Sequence, residues 1–282
     1  MTLVRTPAMQ TIDDAAFSRL LDRVEKPGRY IGNELHQVVK DPSTVRSHLC
    51  LAFPDSYEIG MSHLGLRILY AHMNKTDDLC LERAYCPFPD MERELRAAGI
   101  PMFSMETRTP LRSFDVVGFS LQSEMTITNV LTMLDLAGIP IRREERTDDD
   151  PLVIAGGPVV YNPEPSSAFF DAYLIGDGEA ALPAFLRADA DLREKGVPRA
   201  QRLAVLAREV GGIYVPASYD VEQHATTGLL QVKPTDGAPY PVYKALLDDV
   251  NEYPFPAETL VPQTDIIHDR VAVKIFKRCT AE

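Results

Sequence analysis

A doubly wound α/β fold around a parallel five-stranded sheet is what this sequence predicts, and three observations predict it. From about residue 47, a short apolar run, a Gly- or Pro-bearing loop and a stretch with helical spacing follow one another repeatedly. The apolar runs read as buried strands, as in a parallel sheet covered on both faces. The last two runs pass directly into glycines, which suits strand ends that open into loops.

Leu49-Cys-Leu-Ala-Phe53 is the first strand, and Leu66, Leu69, Tyr70 and Met73 then fall on one helical face. Leu79-Cys-Leu-Glu-Arg-Ala-Tyr85 is the second strand. A short helix follows it, from Asp90 as N-cap to Gly99 as C-cap. Asp115-Val-Val-Gly-Phe119 is the third strand. The helix after it buries Ile127, Val130, Leu131 and Leu134 before Gly138 and Pro140 stop it. Leu152-Val-Ile-Ala155 and Ala172-Tyr-Leu-Ile175 complete the sheet, which is expected to be Rossmann- or flavodoxin-like. Residues 12–25 and 199–210 suit amphipathic helices. Residues 211–262 are Pro-rich and extended, with β-like pieces such as Gly212-Ile-Tyr-Val215. The domain reading is therefore an irregular N-terminal arm over 1–44, the sheet domain over 45–195, and an extension over 196–282.

With 282 residues, 45% hydrophobic and 25% charged, the chain has the composition of a soluble globular protein. Its net charge of −12 speaks against binding nucleic acid through the phosphate backbone. No apolar stretch approaches the roughly 20 residues that span a bilayer, and the start lacks a signal core, so membrane is not expected and cytoplasm is the expected address. Cys50, Cys80 and Cys86 form no compact pattern and read as reduced, packed thiols. Thr147-Asp-Asp-Asp150 reads as a solvated loop, and Met102, Met105, Met125 and Met133 as fillers of core gaps.

Ligands of open α/β sheets bind beyond the carboxyl ends of the strands, where the winding reverses. Gly156-Gly157 serves either a tight turn or the close approach of a ligand. In Gly176-Asp-Gly-Glu179, Asp177 can cap a helix and Glu179 complements its dipole. No loop carries the Lys-Ser/Thr ending of a phosphate cradle, and the first strand lacks G-x-G-x-x-G, which speaks against a nucleotide enzyme such as a dehydrogenase. Glu106, Arg108, Gln122 and Glu124 are candidate cleft residues better read as solvated or structural. His63 reads as a capping or packing group.

Asp55-x-Tyr57-x-x-Gly60, Ser120-Leu121 and Gly156-Gly157 resemble the cobalamin-binding signature D-x-H-x-x-G, S-x-L, G-G, with Tyr57 in the histidine slot. Lys26-Pro-Gly-Arg-Tyr-Ile-Gly-Asn-Glu34, Ala52-Phe-Pro-Asp-Ser-Tyr-Glu-Ile-Gly-Met-Ser62, Asn162-Pro-Glu-Pro165 and Ile175-Gly-Asp-Gly-Glu179 extend the likeness. Together they resemble the N-terminal half of a family of B12-binding radical SAM proteins, over about residues 15–279.

The resemblance implies a cobalamin-binding-like domain whose corrinoid-binding residues are Asp55, Tyr57, Gly60, Ser120, Leu121, Gly156 and Gly157. With Tyr57 replacing histidine, it implies a corrinoid held without imidazole ligation, Tyr57 packing beneath it and Asp55 orienting the loop. It also implies that Val271-Ala-Val-Lys-Ile-Phe276 is the first strand of a radical SAM barrel. Cys279 then begins a C-x-x-x-C-x-x-C loop for a [4Fe–4S] cluster, with S-adenosylmethionine on its open iron. Lys274 and Phe276-Lys277-Arg278 depart from the family's usual residues there. The second cysteine falls beyond Glu282, so the expectation is a motif cut by truncation, frameshift or domain boundary, with the barrel as missing partner and no catalytic residue in this part. The alternative is a docking or structural module that has kept the fold and lost the corrinoid. A barrel strand without its neighbours presents an unpaired apolar edge. Amide hydrogen exchange is therefore expected to be faster across 271–276 than across 49–53, and equal protection would contradict this.

Overall fold

The computed structural model describes residues 11–268 except 236, 254 and 255; the strand expected over 271–276 and Cys279 lie outside the described residues. Among the described residues, eight strands and seven α-helices position the site. In order they are α1 (Asp14–Leu21), β1 (Ser47–Phe53), α2 (Tyr57–Ser62), α3 (Leu64–Asn74), β2 (Leu79–Tyr85), α4 (Pro89–Ala98), β3 (Val116–Ser120) and α5 (Ile127–Leu136). There follow β4 (Leu152–Gly156), β5 (Ala172–Leu174), α6 (Gly178–Glu194), α7 (Arg199–Glu209), β6 (Ile213–Tyr214), β7 (Tyr219–Gln223) and β8 (Leu230–Pro234).

The main sheet has the order β2-β1-β3-β4-β5-β6, its first five strands parallel and β6 antiparallel to β5. The doubly wound α/β fold is therefore present, with one correction. Ile213–Tyr214, within the β-like piece of the extension, adds a sixth strand and covers the edge of β5. β7 and β8 form a separate hairpin. Among the described residues, no helix is long and apolar enough to cross a membrane.

Alternation along β1 explains the two layers of helices. Cys50 and Ala52 face a core shared with Phe17 of α1, Leu95 of α4 and Val130 of α5. Leu49, Leu51 and Phe53 face the opposite core, with Leu66 of α3, Phe185 of α6 and Leu206 of α7. The arm contributes Phe17, Leu20, Val24 and Tyr30 to the first core, so it packs as part of the layer over α4.

Several local expectations need correction. Asp90 is the second residue of α4, behind Phe88 as N-cap and Pro89; its carboxylate instead accepts the backbone N–H groups of Met91 and Glu25 at 2.8 Å. Gly99 ends α4 in the left-handed conformation, φ +63°, as a C-cap glycine does. Thr147, Asp148 and Asp149 are exposed, as in the solvated loop expected there, but Asp150 is not. It is buried, and Arg199, at the start of α7, donates to the carbonyls of Asp150 and Pro151 and to Asp171. Met102, Met105 and Met133 fill the core, whereas Met125 is 86% exposed beside the loop after β3. Cys50 and Cys80 are buried and Cys86 half-buried.

β2 has one free edge, and side chains seal it, as an edge strand requires. Lys40 Nζ donates to the Leu79 carbonyl at 2.7 Å. The Asn74 amide both accepts from Leu81 N and donates to Leu81 O, at 3.0 and 2.9 Å. Glu106 accepts from Arg83 N at 2.6 Å, and Met105 N donates to Arg83 O at 2.8 Å. The Arg83 side chain is 0% exposed, so it needs carboxylates around it. Glu34 from the arm lies at 2.7 Å and Glu106 at 2.6 Å. Tyr57 OH completes the network by donating to Glu34 at 2.9 Å.

Removing the guanidinium alone leaves two buried carboxylates unpaired. Arg83→Met is therefore expected to cost about 3–5 kcal/mol, and adding Glu34→Gln and Glu106→Gln to recover most of it. Urea midpoints at unchanged slope measure this; a loss below about 1 kcal/mol for the single variant would show that the network is not the anchor.

Candidate functional site

The strand order reverses between β1 and β3, and a cleft of about 340 Å³ opens there beyond their carboxyl ends. Its walls come from Phe53, Pro54 and Asp55 after β1, from Ile59, Ser62, His63 and Leu64 at α2 and α3, and from Ser120, Gln122, Ser123 and Thr126 after β3. Ile267 and His268 of the C-terminal segment close one side. That segment is held by its backbone: Gln263 N donates to Tyr57 OH at 3.3 Å and His268 N to Ser62 Oγ at 3.0 Å. Asn129 of α5 fixes the first loop by donating to the Pro54 carbonyl at 2.9 Å.

Of the seven residues expected to bind a corrinoid, Asp55 and Ser120 line this cleft. Asp55 Oδ1 accepts from Ser56 N at 2.7 Å, and its carbonyl accepts from Cys86 N at 2.9 Å, so its loop is pinned to the end of β2. Ser120 Oγ accepts from the Gln122 amide at 3.0 Å. Gly156, opposite Ser120 in register, has open space where a side chain would stand.

Tyr57 is placed elsewhere, outside the lining of the cleft. It is 1% exposed, packs edge-on to Tyr85 and points into the core between α2 and β2. Burial first, and then the neighbouring Glu34, hold its phenol well above the ordinary range, so it is a neutral donor to that carboxylate.

Gly60 is likewise turned away from the cleft. A Cβ there would stand 2.3 Å from the Tyr85 ring, so this glycine lets the ring pack on the backbone of α2. Gly157 has φ +104°, and a Cβ would lie 2.4 Å from the Leu121 carbonyl. Leu121 is buried, and its N–H donates to Gly156 O at 2.8 Å. Of the two uses open to Gly156-Gly157, Gly157 therefore serves a backbone approach within the chain.

His63 is the group whose importance the residue pattern concealed. It caps α3, its Nδ1 accepting from Leu66 N at 3.2 Å, and its ring lies against Phe53. A neutral imidazole carries one proton, so accepting at Nδ1 places that proton on Nε2. Burial lowers its pKa, with the nearby Gln122 amide working weakly in the other direction. His63 thus presents an N–H donor to the cleft and no lone pair. A histidine one residue before a helical run is a capping signal, but nothing local shows that the helix begins at the mouth of a cleft. Glu106, taken above as solvated or structural, is structural in the Arg83 network, while Gln122 lines the cleft.

The family described as radical SAM proteins, N-terminal, matches residues 65–216, slightly more than half of the chain. The chain belongs to this family. The match takes in Ser120, Leu121, Gly156 and Gly157 and begins after Gly60. An uncharacterised protein of Methanocaldococcus jannaschii is 22% identical to this member over 135 residues, 48% of this chain and 24% of that protein. The solved cobalamin-dependent S-adenosylmethionine radical enzyme OxsB, with aqua-cobalamin bound, is similar over 67% of this chain and 22% of its own. With 11% identity and a TM-score of 0.36, that likeness is too slight to carry an argument. The chain spans about a quarter of the length of each of these two proteins.

The lowered pKa of His63 sets a pH dependence. Between its folded value and the ordinary 6.5, the unfolded chain binds a proton that the folded one does not, so stability falls as pH drops below 6.5. His63→Asn keeps a capping side chain and removes the titrating group, and is expected to flatten that fall. Proton-detected titration of the His63 ring is expected to give a midpoint below 6.5; a midpoint above it would contradict the capped, neutral form.

Proposed function

We propose that this chain is the corrinoid-positioning domain of a radical SAM protein, holding cobalamin without histidine ligation over the cleft between β1 and β3. The observation that carries this reading is the capped His63, which lines the switch-point cleft yet has its accepting nitrogen occupied by the helix. A cobalt ion needs a lone pair, and this imidazole offers an N–H. It can donate to a ligand, and it cannot coordinate cobalt while it caps α3.

The other cleft residues fit one face of a corrinoid. Ser62, Ser120, Gln122, Ser123 and Thr126 are neutral hydroxyl and amide groups suited to the amide side chains around a corrin ring, and Asp55 adds an acceptor. About 340 Å³ is near the low end for small-molecule sites and suits an edge of the macrocycle, leaving its upper face open. Gly156 keeps the end of β4 clear. A bound corrinoid supplies a cobalt centre; the chain orients it and excludes water on one side. In this reading a C-terminal radical SAM barrel, not this domain, carries a [4Fe–4S] cluster begun by Cys279, and S-adenosylmethionine binds there. The cytoplasm is the setting, where such thiols stay reduced.

A second reading is supported by Tyr57, Gly60 and Gly157. All three are engaged by packing inside the chain, as in a docking module that keeps the fold and binds no cofactor. Hydroxocobalamin titrated into the purified chain separates the two. The corrinoid reading expects a saturable change in the visible spectrum, abolished by Ser120→Phe, which fills the cleft, and little affected by Tyr57→Phe. It also expects His63→Asn to leave the spectrum of the bound form unchanged, since no imidazole sits on cobalt. No spectral change at high protein concentration would favour the docking module.

A further inference from the structure

On the face of the sheet opposite Arg83, at the amino end of β1 and β2, three metal-ligating side chains meet in the interior. His48 and Cys80 are register partners on adjacent strands, and Glu82 follows Cys80 by two residues on the same face. All three are buried, and one ligand atom from each lies within 4.8 Å of the other two. Around a zinc-like ion with bonds of 2.0–2.3 Å, tetrahedral ligand atoms stand roughly 3.3–3.8 Å apart, so a small side-chain adjustment closes the set.

Two further features point to an ion. His48 Nε2 contacts Glu82 Oε1 at 2.9 Å, while its Nδ1 is buried with no hydrogen-bond partner. Nε2 is therefore the nitrogen that faces Glu82 and the one that an ion shared with it would take. Glu82 Oε2 accepts from Ser104 Oγ at 2.6 Å and Thr107 Oγ1 at 2.8 Å, and Thr107 in turn contacts Thr109. Such outer hydrogen bonds orient a ligating carboxylate. Glu82 has no lysine or arginine as ion-pair partner among the described residues; His48 is its ion-pair partner there.

We propose that His48, Cys80 and Glu82 form a buried site for a divalent, thiolate-preferring cation of the zinc class. The charge balance favours it: one thiolate, one carboxylate and a neutral imidazole cancel a 2+ ion in a place that water cannot screen. Free Cys80 is a thiol with a proton on its sulfur. Binding transfers that proton to solvent and puts the sulfur lone pair on the metal. Three ligands from two neighbouring strands leave a fourth position, and Cys50, the register partner of Glu82, stands on the same face. The site ties β1 to β2 on the side away from the Arg83 network. It is independent of the corrinoid reading, which stands or falls separately.

Co(II) substitution tests this on the full chain, because a thiolate ligand gives a charge-transfer band that carboxylate and imidazole do not. The expected result is about one tightly held Zn(II) or Co(II) per chain, the band lost in Cys80→Ser and His48→Gln and kept in Cys279→Ser. Should Cys80→Ser fail to fold, the wild-type chain still decides. It is expected to melt higher with Zn(II) than after chelation, in a Cys279→Ser background as well. No retained ion and no shift in melting would leave only a buried His48–Glu82 pair and overturn the site. A cobalt band that survives Cys80→Ser would overturn it equally.

Discussion

A guanidinium sealed from water on an edge strand constrains most of this molecule. Arg83 sits where β2 would otherwise end the sheet, and a charge there is tolerable only with carboxylates in contact. Those carboxylates come from far apart in the chain, Glu34 in the arm and Glu106 after α4. Satisfying one side chain therefore folds the arm over α2 and brings the 102–109 segment against the free edge of β2. Tyr57 enters as a donor to Glu34 and hands the same constraint on to the C-terminal segment through Gln263.

That arrangement decides what is left for a ligand. Because the beginning of α2 is turned inward, the loops after β1 and β3 meet over a cleft lined by hydroxyl and amide groups, the Asp55 carboxylate and apolar side chains, with His63 at its wall. The histidine serves the backbone of α3 with one nitrogen and faces the cleft with the other, so it offers the cleft an N–H and no lone pair. Glycines act on both sides of the boundary. Gly60 and Gly157 allow protein to approach protein, while Gly156 leaves the end of β4 open.

The two faces of β2 also show how an edge strand is kept from pairing with other chains. Lys40, Asn74 and Glu106 occupy its outer hydrogen-bonding groups, and each face carries ionisable residues instead of an unbroken apolar surface. Arg83 is held by the carboxylates of other segments. On the opposite face His48, Cys80 and Glu82 gather within the sheet itself, at the end remote from the cleft.

Strands 49–53, 79–85, 115–119, 152–155 and 172–175 were readable from residue order because burial on both faces demands continuous apolar runs, and the helices between them because one face of each must meet the sheet. The antiparallel sixth strand was visible only as the β-like piece around Ile213, since two residues cannot carry a period. The loops that line the cleft were likewise legible, as strand ends bearing Asp55 and Ser120. Which side chains turn into the cleft was not. Tyr57 fits a ligand-binding slot by spacing, yet Glu34, 23 residues away, draws its hydroxyl inward, and Gly60 answers to Tyr85 on a neighbouring strand. Sequence alone determined the layers and the place of the crevice, because both follow from local period and connectivity; the direction of each polar side chain, the proton on His63 and the meeting of His48 with Cys80 and Glu82 depend on partners distant in the chain, and only the tertiary structure decided them.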